Sequence, residues 1–442
     1  MPAGFLKHPF MSQRAIAACD DNAMVNAMLA FELALAEVQE ASGAVPVGVS
    51  QQMRHQLESA TFDVADIAEG IASGGNAAIP FVKQGRGLLA DELKRYWHQG
   101  ATSQDVVDTA LMLLLKPRLA ALDELLLRCR SAATALMEAH ADTPMVGRTL
   151  MQQALPITFG VKVAHWAIGL EQSRRRLSHI ELPVQFGGAV GVHSGWNALG
   201  LEWMDALAER LGLAAPILPW HTDRYPIHAL GTALDAVAGA AEKIALDVSL
   251  LTQTEVGEVA EPSAPGMGES SSMPHKRNPV RSALIRGAAR QVHGHTSVLI
   301  NAAAQPLERG LGEWHAEWAP LMESALLVEG ALEQVVVLLE GLEVNPANMW
   351  RNLAVTGGGI MAEPVARLLT PFLGTNKAKA VSAEAAETAR RESRPYSDVL
   401  ADHPDVKGNV DTDALRKACD PALYLGSSSA QVIRTKMWLE NS

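Results

Sequence analysis

The stretch GESSSMPHKRNP, residues 268–279, combines three serines, a lysine and an asparagine just ahead of a helical pattern. Asn278 is a good helix N-cap and Pro279 suits the first helical position, so we expect a helix to begin there. The start of a helix presents free N–H groups and a partial positive charge. With Lys276 and the Asn278 amide beside it, this start is expected to hold a carboxylate, and a doubly charged carboxylate intermediate more tightly still. By composition alone, the same stretch also suits a plain surface connection.

Two further segments have the pattern of helix starts that bind anions. In residues 98–113, HQGATSQDVVDTALML, Thr102 and Asp105 have the spacing of a capping box ahead of an apolar helix. In residues 147–160, GRTLMQQALPITFG, Pro156 fits the first position of a helix. Ordinary capping explains either segment alone. The polar side chains just before that proline are Arg148, Thr149, Gln152 and Gln153.

Apolar residues recur at helical spacing along most of the chain. Only 5% of residues are aromatic, and long Ala, Leu and Glu stretches favour helices, so the predicted fold class is all-α. Helical pattern also covers 12–43, and shorter pieces reach about Gly100. Pro117 is expected to kink the first long helix or break it in two. The long helices are predicted at about 105–140, 156–180, 196–212, 228–258, 279–303 and 314–341.

These long segments predict a central helical bundle. The segment 228–258 has Ala and Leu on nearly every face, which is typical of a helix buried on all sides. A bundle of this length is expected to continue across subunits, which predicts a homo-oligomer. At 442 residues the chain exceeds the usual size of a single core. We therefore expect an N-terminal helical domain at 1–101, the long-helix bundle at 102–345 and a C-terminal helical domain at 346–442.

Charge and cysteine content exclude several classes of protein. A formal net charge of −12 argues against a general nucleic-acid binder, because phosphate contacts need basic surface. Any anionic substrate must therefore meet a local group of cations. Cys19, Cys129 and Cys419 are too few and too far apart for a disulfide framework or a zinc ribbon. The N-terminus is too polar for a signal peptide and no apolar run of about 18 residues occurs, so we expect a cytoplasmic protein without a membrane partner.

Together and in this order, the three segments resemble the signature blocks of the fumarase/aspartase superfamily, which includes argininosuccinate lyase and adenylosuccinate lyase. SSSMPHKRNP is similar to the long loop signature of that superfamily, and the similar helical layout covers essentially the whole chain. HQGATSQDVVDTA, LLTQTEVGEVAEP and MPHKRNPV are most similar to the branch that lactonises carboxymuconate, a tricarboxylate of protocatechuate breakdown. The resemblance implies three helical domains and a homotetramer in which the blocks of three subunits build each active site. It also implies a small-molecule substrate and neither a metal nor an organic cofactor.

The resemblance assigns roles to individual residues. Ser270 matches the residue that exchanges the proton on carbon, while Lys276 and Asn278 match those that hold the substrate carboxylate. The substrate-binding positions of the family match Thr102, Ser103, Gln104 and Thr149. Four neighbouring residues are further candidates for substrate binding: His98, Arg148, Gln153 and His275. The histidines show no HExxH or other tight ligand spacing, so no metal site is expected.

Three positions depart from the superfamily pattern. The leading glycine of the loop signature is Glu269, with Gly268 one place upstream, and the glutamate expected a turn beyond Asn278 is Ala283. The lyases carry a histidine directly after the threonine of the second block, where this chain has Leu150. That histidine helps to protonate the leaving group, and a poor leaving group such as an amine benefits from such an acid. An amine-releasing reaction is therefore disfavoured.

Lactonisation needs no such acid, because the group that adds or leaves is the substrate's own carboxylate, a stable anion with a pKa of about 4. Its attack moves negative charge into a second carboxyl group, which Lys276 and the helix start are expected to stabilise. Ser270 then delivers a proton to the adjacent carbon. Adenylosuccinate lyase or a related fumarate-releasing lyase is the alternative among enzymes. A catalytically inactive helical oligomer is the alternative outside them, although the retained Ser270, Lys276 and Asn278 argue against it.

Overall fold

The computed structural model describes residues 9–263, 268, 273 and 275–441. Seventeen α-helices and four short strands occur in these residues, which confirms the all-α class. Contacts group the chain into two units, each built from three separate stretches. The three-domain boundaries stay a prediction. The first unit contains the described residues up to 126, 173–241 and 284–333, and the second contains 127–172, those of 242–283, and 334 onward.

The N-terminal part of the chain is a run of five helices. The stretch predicted as helical over 12–43 is two helices, because Asp20 caps the second one by accepting a hydrogen bond from the Ala23 N–H at 2.9 Å. Phe81 and Trp97 are buried together here, with ring centroids 5.9 Å apart. The five helices are α1 Gln13–Ala18, α2 Asp21–Ala41, α3 Val49–Glu58, α4 Val64–Gly74 and α5 Ala78–Leu88.

Six long helices follow close to their predicted positions. Their ends lie within three residues of the predictions, except that the fourth helix stops at Leu251 instead of 258. Pro117 lies inside one continuous helix, so of the two predicted effects the break does not occur, and the kink stays a prediction. This proline is exposed, and water can therefore satisfy the carbonyl that loses its helical partner. The six helices are α6 Ser103–Ala139, α7 Phe159–Ser178, α8 Leu199–Leu211, α9 Tyr225–Leu251, α10 Val280–Ala302 and α11 Glu313–Glu340.

The C-terminal stretch forms a small core of shorter helices. Tyr396 is buried in it, and its hydroxyl lies 2.7 Å from the Ser382 hydroxyl. A Cβ at Gly358 would lie only 2.5 Å from the Tyr396 Cβ, so this turn requires glycine. No helix in the described part of the chain is long and apolar enough to cross a bilayer. The helices are α12 Pro346–Leu353, α13 Ala362–Leu373, α14 Thr375–Glu392, α15 Tyr396–Asp402, α16 Thr412–Ala418 and α17 Ser428–Glu440.

The predicted helix start at Pro156 is wrong, because this proline lies in a β-hairpin. Val146 pairs with Pro156 across two antiparallel strands, and the helix begins only at Phe159. A two-stranded hairpin consists of edge strands, so it tolerates a residue that has no N–H to donate. A second, shorter strand pair lies further along the chain. The four strands are β1 Pro144–Thr149, β2 Gln152–Thr158, β3 Val259–Ala260 and β4 Glu343–Val344, with β1 paired to β2 and β3 to β4.

The turn between β1 and β2 is strained. Leu150 and Met151 both have a positive φ, 48° and 65°, in the region that L residues other than glycine rarely adopt. Leu150 is 96% exposed, so burial within the described residues does not offset this cost. A two-residue hairpin turn of this shape favours Asn followed by Gly. Leu150 and Met151 therefore occupy the tip of the hairpin although the left-handed backbone conformation there disfavours their side chains.

We expect the double substitution Leu150→Asn with Met151→Gly to raise the free energy of unfolding by about 1–2 kcal/mol. The new pair adopts the left-handed conformation with less steric cost. Thermal and urea unfolding at fixed protein concentration measure the change. The matched control, Leu150→Ala with Met151→Ala, keeps a Cβ at both positions and is expected to stay within about 0.5 kcal/mol of the unsubstituted protein. If the Asn-Gly variant unfolds at no higher a temperature or urea concentration than the control, the turn is not strained as described.

Candidate active site

An open cleft of about 1220 Å³ lies in the second unit, beside β3, β4 and the start of α10. His275, Lys276 and Asn278 all line it, so the structure brings these three predicted site residues together. Ser270 lies outside the described residues. The end of α9 and the β4 strand contribute further polar residues to the wall, including Ser249, Thr252, Gln253, Glu343 and Asn345.

Lys276 supplies a positive charge that a ligand in this cleft can use. Its side chain is exposed, and no described carboxylate lies within ion-pair distance of its ammonium group. Its backbone N–H is fixed to the Met273 carbonyl at 3.0 Å. The neighbouring Arg277 is already paired, because its guanidinium donates to both Glu343 carboxylate oxygens at 3.0 and 2.8 Å. This pairing raises the pKa of Arg277 and lowers the pKa of Glu343. A ligand carboxylate therefore finds Lys276 available and Arg277 neutralised.

The first turn of α10 differs in detail from the prediction. The Ala283 N–H donates to the Pro279 carbonyl at 3.1 Å, so Pro279 takes the cap position that was predicted for Asn278. The Asn278 backbone N–H donates instead to the Gly268 carbonyl at 2.9 Å. The Asn278 side chain lines the cleft and forms no hydrogen bond to another described residue. Among the described residues its amide has no other partner, and the predicted donation to a substrate carboxylate stays a prediction.

The free N–H groups at the start of α10 are occupied by the chain itself, contrary to the prediction that they hold the substrate. The Arg281 and Ser282 N–H groups donate to the two carboxylate oxygens of Glu261 at 3.0 and 2.8 Å. The Ser282 hydroxyl also donates to Glu261, at 2.6 Å. A carboxylate is favourable here because it meets both the unpaired donors and the positive end of the helix. Glu261 thus takes the place that the sequence analysis gave to a ligand.

The second predicted segment lies in the β-hairpin of the second unit. Arg148 donates to both oxygens of the fully buried Glu258 carboxylate, at 2.9 and 2.7 Å. The Asn352 amide donates to the same carboxylate at 2.8 Å, and the Gln153 amide donates to the Asn352 carbonyl at 3.2 Å. Arg148 and Gln153 therefore belong to one network, in which the arginine charge is paired. Thr149 is exposed beside the turn. Substrate binding by these three residues stays a prediction.

The first predicted segment lies at the start of α6 in the first unit. The Asp105 carboxylate accepts a hydrogen bond from the Thr102 N–H at 2.9 Å, which is one half of the predicted capping box. The same carboxylate accepts from the Gly188 N–H at 3.0 Å and lies 2.7 Å from the His221 Nε2. Both Asp105 and His221 are buried. The aspartate therefore ties the helix start to two distant loops.

Ser103 and Gln104 follow within the first turn of α6. Ser103 is partly exposed, whereas Gln104 is only 4% exposed. The Gln104 amide donates to the His221 carbonyl at 2.9 Å, and its oxygen accepts from Arg309 at 3.0 Å. The polar groups of Gln104 are thus already engaged, while Ser103 remains accessible. Binding of substrate by either residue stays a prediction.

His98 is the first residue of this segment and is paired with Glu32 on α2. Its Nδ1 lies 2.5 Å from a Glu32 carboxylate oxygen, and Glu32 is buried. Burial opposes a charge on the imidazole, but the Glu32 carboxylate outweighs burial and raises the pKa of His98. The His98 side chain keeps 19% exposure. An imidazole with a raised pKa and an accessible edge agrees with the predicted substrate-binding role, which stays a prediction.

The carboxylates that hold two of the three segments, Glu258 and Glu261, were not predicted from the sequence. Glu258 and Glu261 both occur in EVGEVAEP, but their partners are distant in sequence. Arg148 is 110 residues from Glu258, and Arg281 is 20 residues from Glu261. No local spacing rule relates residues at such separations.

Comparison with known proteins agrees with this arrangement. Residues 10–294 match a lyase family. A 3-carboxy-cis,cis-muconate cycloisomerase of Pseudomonas aeruginosa is 42% identical over 431 residues, which cover 96% of this chain and 94% of that protein. A nitrosuccinate lyase of Streptomyces davaonensis is 40% identical over 431 residues, covering 95% of this chain and 91% of that protein. The crystal structure of the 3-carboxy-cis,cis-muconate lactonizing enzyme from Pseudomonas putida has a TM-score of 0.93 to this chain, at 39% identity and 99% coverage of both.

The family match covers more than half of the chain, and the relatives align along nearly all of it. The sequence and the fold are thus shared with these proteins along nearly the whole chain. The chain belongs to the lyase family of the fumarase/aspartase superfamily.

Proposed function

We propose that this protein is a 3-carboxy-cis,cis-muconate cycloisomerase, which interconverts 3-carboxy-cis,cis-muconate and 4-carboxymuconolactone in protocatechuate catabolism. The observation that carries this proposal is the cleft in which Lys276 and the Asn278 amide lie together, neither of them paired with another side chain among the residues that the structure describes. Leu150, in place of the lyase histidine, agrees with it. Similarity to cycloisomerases over nearly the full length supports the same substrate class.

The reaction needs a fixed cation beside one carboxylate of the substrate. An oxygen of another carboxylate forms the ring C–O bond, and the electron pair of the attacked double bond moves toward the neighbouring carboxyl group. An enediolate-like dianion results, and a proton then adds to the adjacent carbon. Lys276 and Asn278 are placed to donate to that dianion, and losing one such donor typically costs about 3–4 kcal/mol of transition-state binding. We assign the proton transfer to Ser270 from the family resemblance.

Leu150 agrees with an intramolecular reaction because no leaving group needs protonation. The carboxylate that adds, or that leaves in reverse, is stable as an anion, since the pKa of a carboxylic acid is about 4. An amine or a hydroxide is a much poorer leaving group and gains roughly 10²–10⁴-fold from a general acid. The exposed leucine at the hairpin tip cannot act as that acid.

A fumarate-releasing lyase with a stable anionic leaving group is the second candidate function. Loss of nitrite and a proton from nitrosuccinate needs no general acid either, so Leu150 permits this reaction too. The 40% identity to a nitrosuccinate lyase favours it over adenylosuccinate lyase as the fumarate-releasing alternative. Lys276 would then stabilise the carbanion formed beside a succinate carboxylate, by the same electrostatic principle.

Purified protein mixed with 3-carboxy-cis,cis-muconate tests the proposal. We expect the absorbance of the conjugated diene to fall while NMR shows one equivalent of 4-carboxymuconolactone. Parallel samples with nitrosuccinate and adenylosuccinate are analysed for fumarate. Loss of the diene without fumarate formation supports the cycloisomerase. A persistent diene together with fumarate from either succinate derivative favours a lyase.

We also propose that the protein is a homotetramer in which three subunits contribute to each active site, as the family resemblance implies. The three contributions would be residues 102–104, 148–153 and 270–278. We place the enzyme in the cytoplasm, which agrees with three cysteines that form no disulfide in the described part of the chain. Analytical ultracentrifugation is expected to give a mass four times that of the chain. A monomer that is active at assay concentration contradicts the shared site.

A further inference from the structure

Glu261 forms hydrogen bonds on both sides of Asn278, and one of its partners, Arg277, directly follows Lys276. It directly follows β3, and its carboxylate accepts three hydrogen bonds of 2.6–3.0 Å from the first turn of α10. Its backbone carbonyl accepts a fourth, from the Arg277 guanidinium at 2.9 Å. One residue therefore bonds to Arg277 and to the first turn of α10, which lie on either side of Asn278. Bonds on both sides of a short stretch restrict the positions that its side chains can take.

Glu261 itself is held in place by its neighbours in the second unit. β3 is paired with β4, so Ala260 lies opposite Glu343. The preceding Glu258 is fully buried and bonded to Arg148. The following Pro262 packs so closely on Gly341 that a Cβ there would lie 2.7 Å from the proline Cβ. The carboxylate of Glu261 thus projects from a fixed backbone and can set the position of α10.

We infer that Glu261 is a positioning residue that places Lys276 and Asn278 for the proposed lactonisation, and this inference rests on the proposed function. The Ser282 side chain that it bonds is fully buried, so the contact is shielded from water. Without the carboxylate, two N–H groups and a hydroxyl at the start of α10 lose their acceptor. Lys276 lies only four residues before this turn. A shift of about 1 Å in such a group can cost 10²-fold in rate.

Glu261 also lines the cleft, and its carboxylate can repel the trianionic substrate of the proposed reaction. If repulsion of the substrate were the main effect of Glu261, an uncharged side chain at this position would raise the affinity for the substrate. Glu261→Gln keeps an acceptor oxygen and removes the charge, so it separates the two effects. Positioning predicts a small loss in this variant, whereas repulsion predicts a gain in affinity for the substrate.

Steady-state kinetics with 3-carboxy-cis,cis-muconate test the inference. We expect Glu261→Ala to lower kcat about 10- to 100-fold with a smaller effect on KM. Glu261→Gln is expected to stay within about 5-fold of the unsubstituted enzyme. Sodium formate, whose carboxylate can refill the vacated position, is expected to restore part of the activity of Glu261→Ala, and sodium chloride at equal ionic strength is not. Ser282→Ala, which removes one of the three bonds, is the matched control and is expected to lose less than about 3-fold.

Hydrogen exchange of the oligomer separates this inference from the proposed function. We expect amides in residues 275–290 to exchange faster in Glu261→Ala, with the rest of the chain unchanged. If the unsubstituted protein leaves 3-carboxy-cis,cis-muconate intact, the proposed function fails, and this exchange pattern alone still decides whether Glu261 fixes the segment. Unchanged exchange or unchanged kcat in Glu261→Ala overturns the inference. It is also overturned by a Glu261→Gln variant that is more active than the unsubstituted enzyme, or as inactive and as thermally unstable as Glu261→Ala.

Discussion

Lys276→Ala is expected to lower turnover by at least about 100-fold while leaving the oligomer intact. The ammonium group is exposed in the cleft and lies outside ion-pair distance of every described carboxylate, so its removal breaks no ion pair in the described fold. Its expected role appears only when negative charge develops on a substrate carboxyl group. A charge that acts in the transition state lowers kcat when it is lost, with a smaller change in KM.

Arg277→Ala is the matched control for this experiment. It removes a positive charge one residue away that is half-exposed and paired with Glu343, together with one hydrogen bond to the Glu261 carbonyl. The three hydrogen bonds of the Glu261 carboxylate to α10 remain. Exposed ion pairs contribute little, so we expect this variant to keep turnover within about 3-fold. Size-exclusion chromatography checks that both variants keep the oligomer of the unsubstituted protein. Near-normal turnover in Lys276→Ala, or an equal loss in both variants, removes Lys276 from the mechanism.

Arg224→Met is expected to lower the free energy of unfolding by about 3–5 kcal/mol. Arg224 is 2% exposed in the first unit and is paired with Asp108 at 2.7 Å and with Glu317 at 2.7 Å. Burial disfavours its charge, but Asp108 and Glu317 outweigh burial and raise the pKa of Arg224. Removing the arginine leaves two buried carboxylates next to each other without their cation. Urea unfolding at fixed protein concentration measures the loss.

The destabilisation caused by Arg224→Met is expected to decrease as the pH falls. Burial already raises the pKa of Glu317, and Arg224 is the main group that opposes this rise. Without Arg224, the folded state holds a proton on Glu317 at a pH where the unfolded chain has released it. The folded state then binds more protons than the unfolded state, so its stability falls as the pH rises. We expect the difference in free energy of unfolding between Arg224→Met and the unsubstituted protein to be smaller at about pH 5 than at about pH 8.

Arg367→Met is the control for this stability measurement. Arg367 pairs with Glu363 one helical turn away, and both side chains are more than half exposed. Such pairs are worth little, so we expect a change within about 0.5 kcal/mol and no pH dependence of this kind. If Arg224→Met unfolds at the same urea concentration as Arg367→Met at both pH values, the buried pairs do not stabilise the fold as described.

The long helices could be predicted from the sequence because their signal is local. α6 and α11 lie within two residues of their predicted ends, since an apolar repeat of helical period over about 30 residues leaves little choice. Pro156 could not be placed by the same reasoning. A proline suits both the first turn of a helix and an edge strand, and only the pairing with Val146 ten residues away decides between them.

The candidate site likewise has a part that could be predicted from local sequence and a part that could not. His275, Lys276 and Asn278 share one cleft because they are within four residues of each other, so the sequence could group them. The group that binds the N–H groups at the start of α10 could not be predicted, because Glu261 lies 20 residues upstream of its partner Arg281. The local preference for Asn at the cap position gives no information about so distant a residue. Side chains that are brought together by the fold are invisible to spacing rules.

The measurement that tests the proposed function most directly is a competition between substrates on the unsubstituted enzyme. Equal concentrations of 3-carboxy-cis,cis-muconate, nitrosuccinate and adenylosuccinate are supplied together, and NMR follows the lactone and fumarate in the same sample. We expect kcat/KM for the muconate to exceed that for either succinate derivative by at least about 100-fold, since only the muconate places its own carboxylate against the attacked carbon. Fumarate that accumulates while the diene and the lactone signals stay constant would contradict the cycloisomerase.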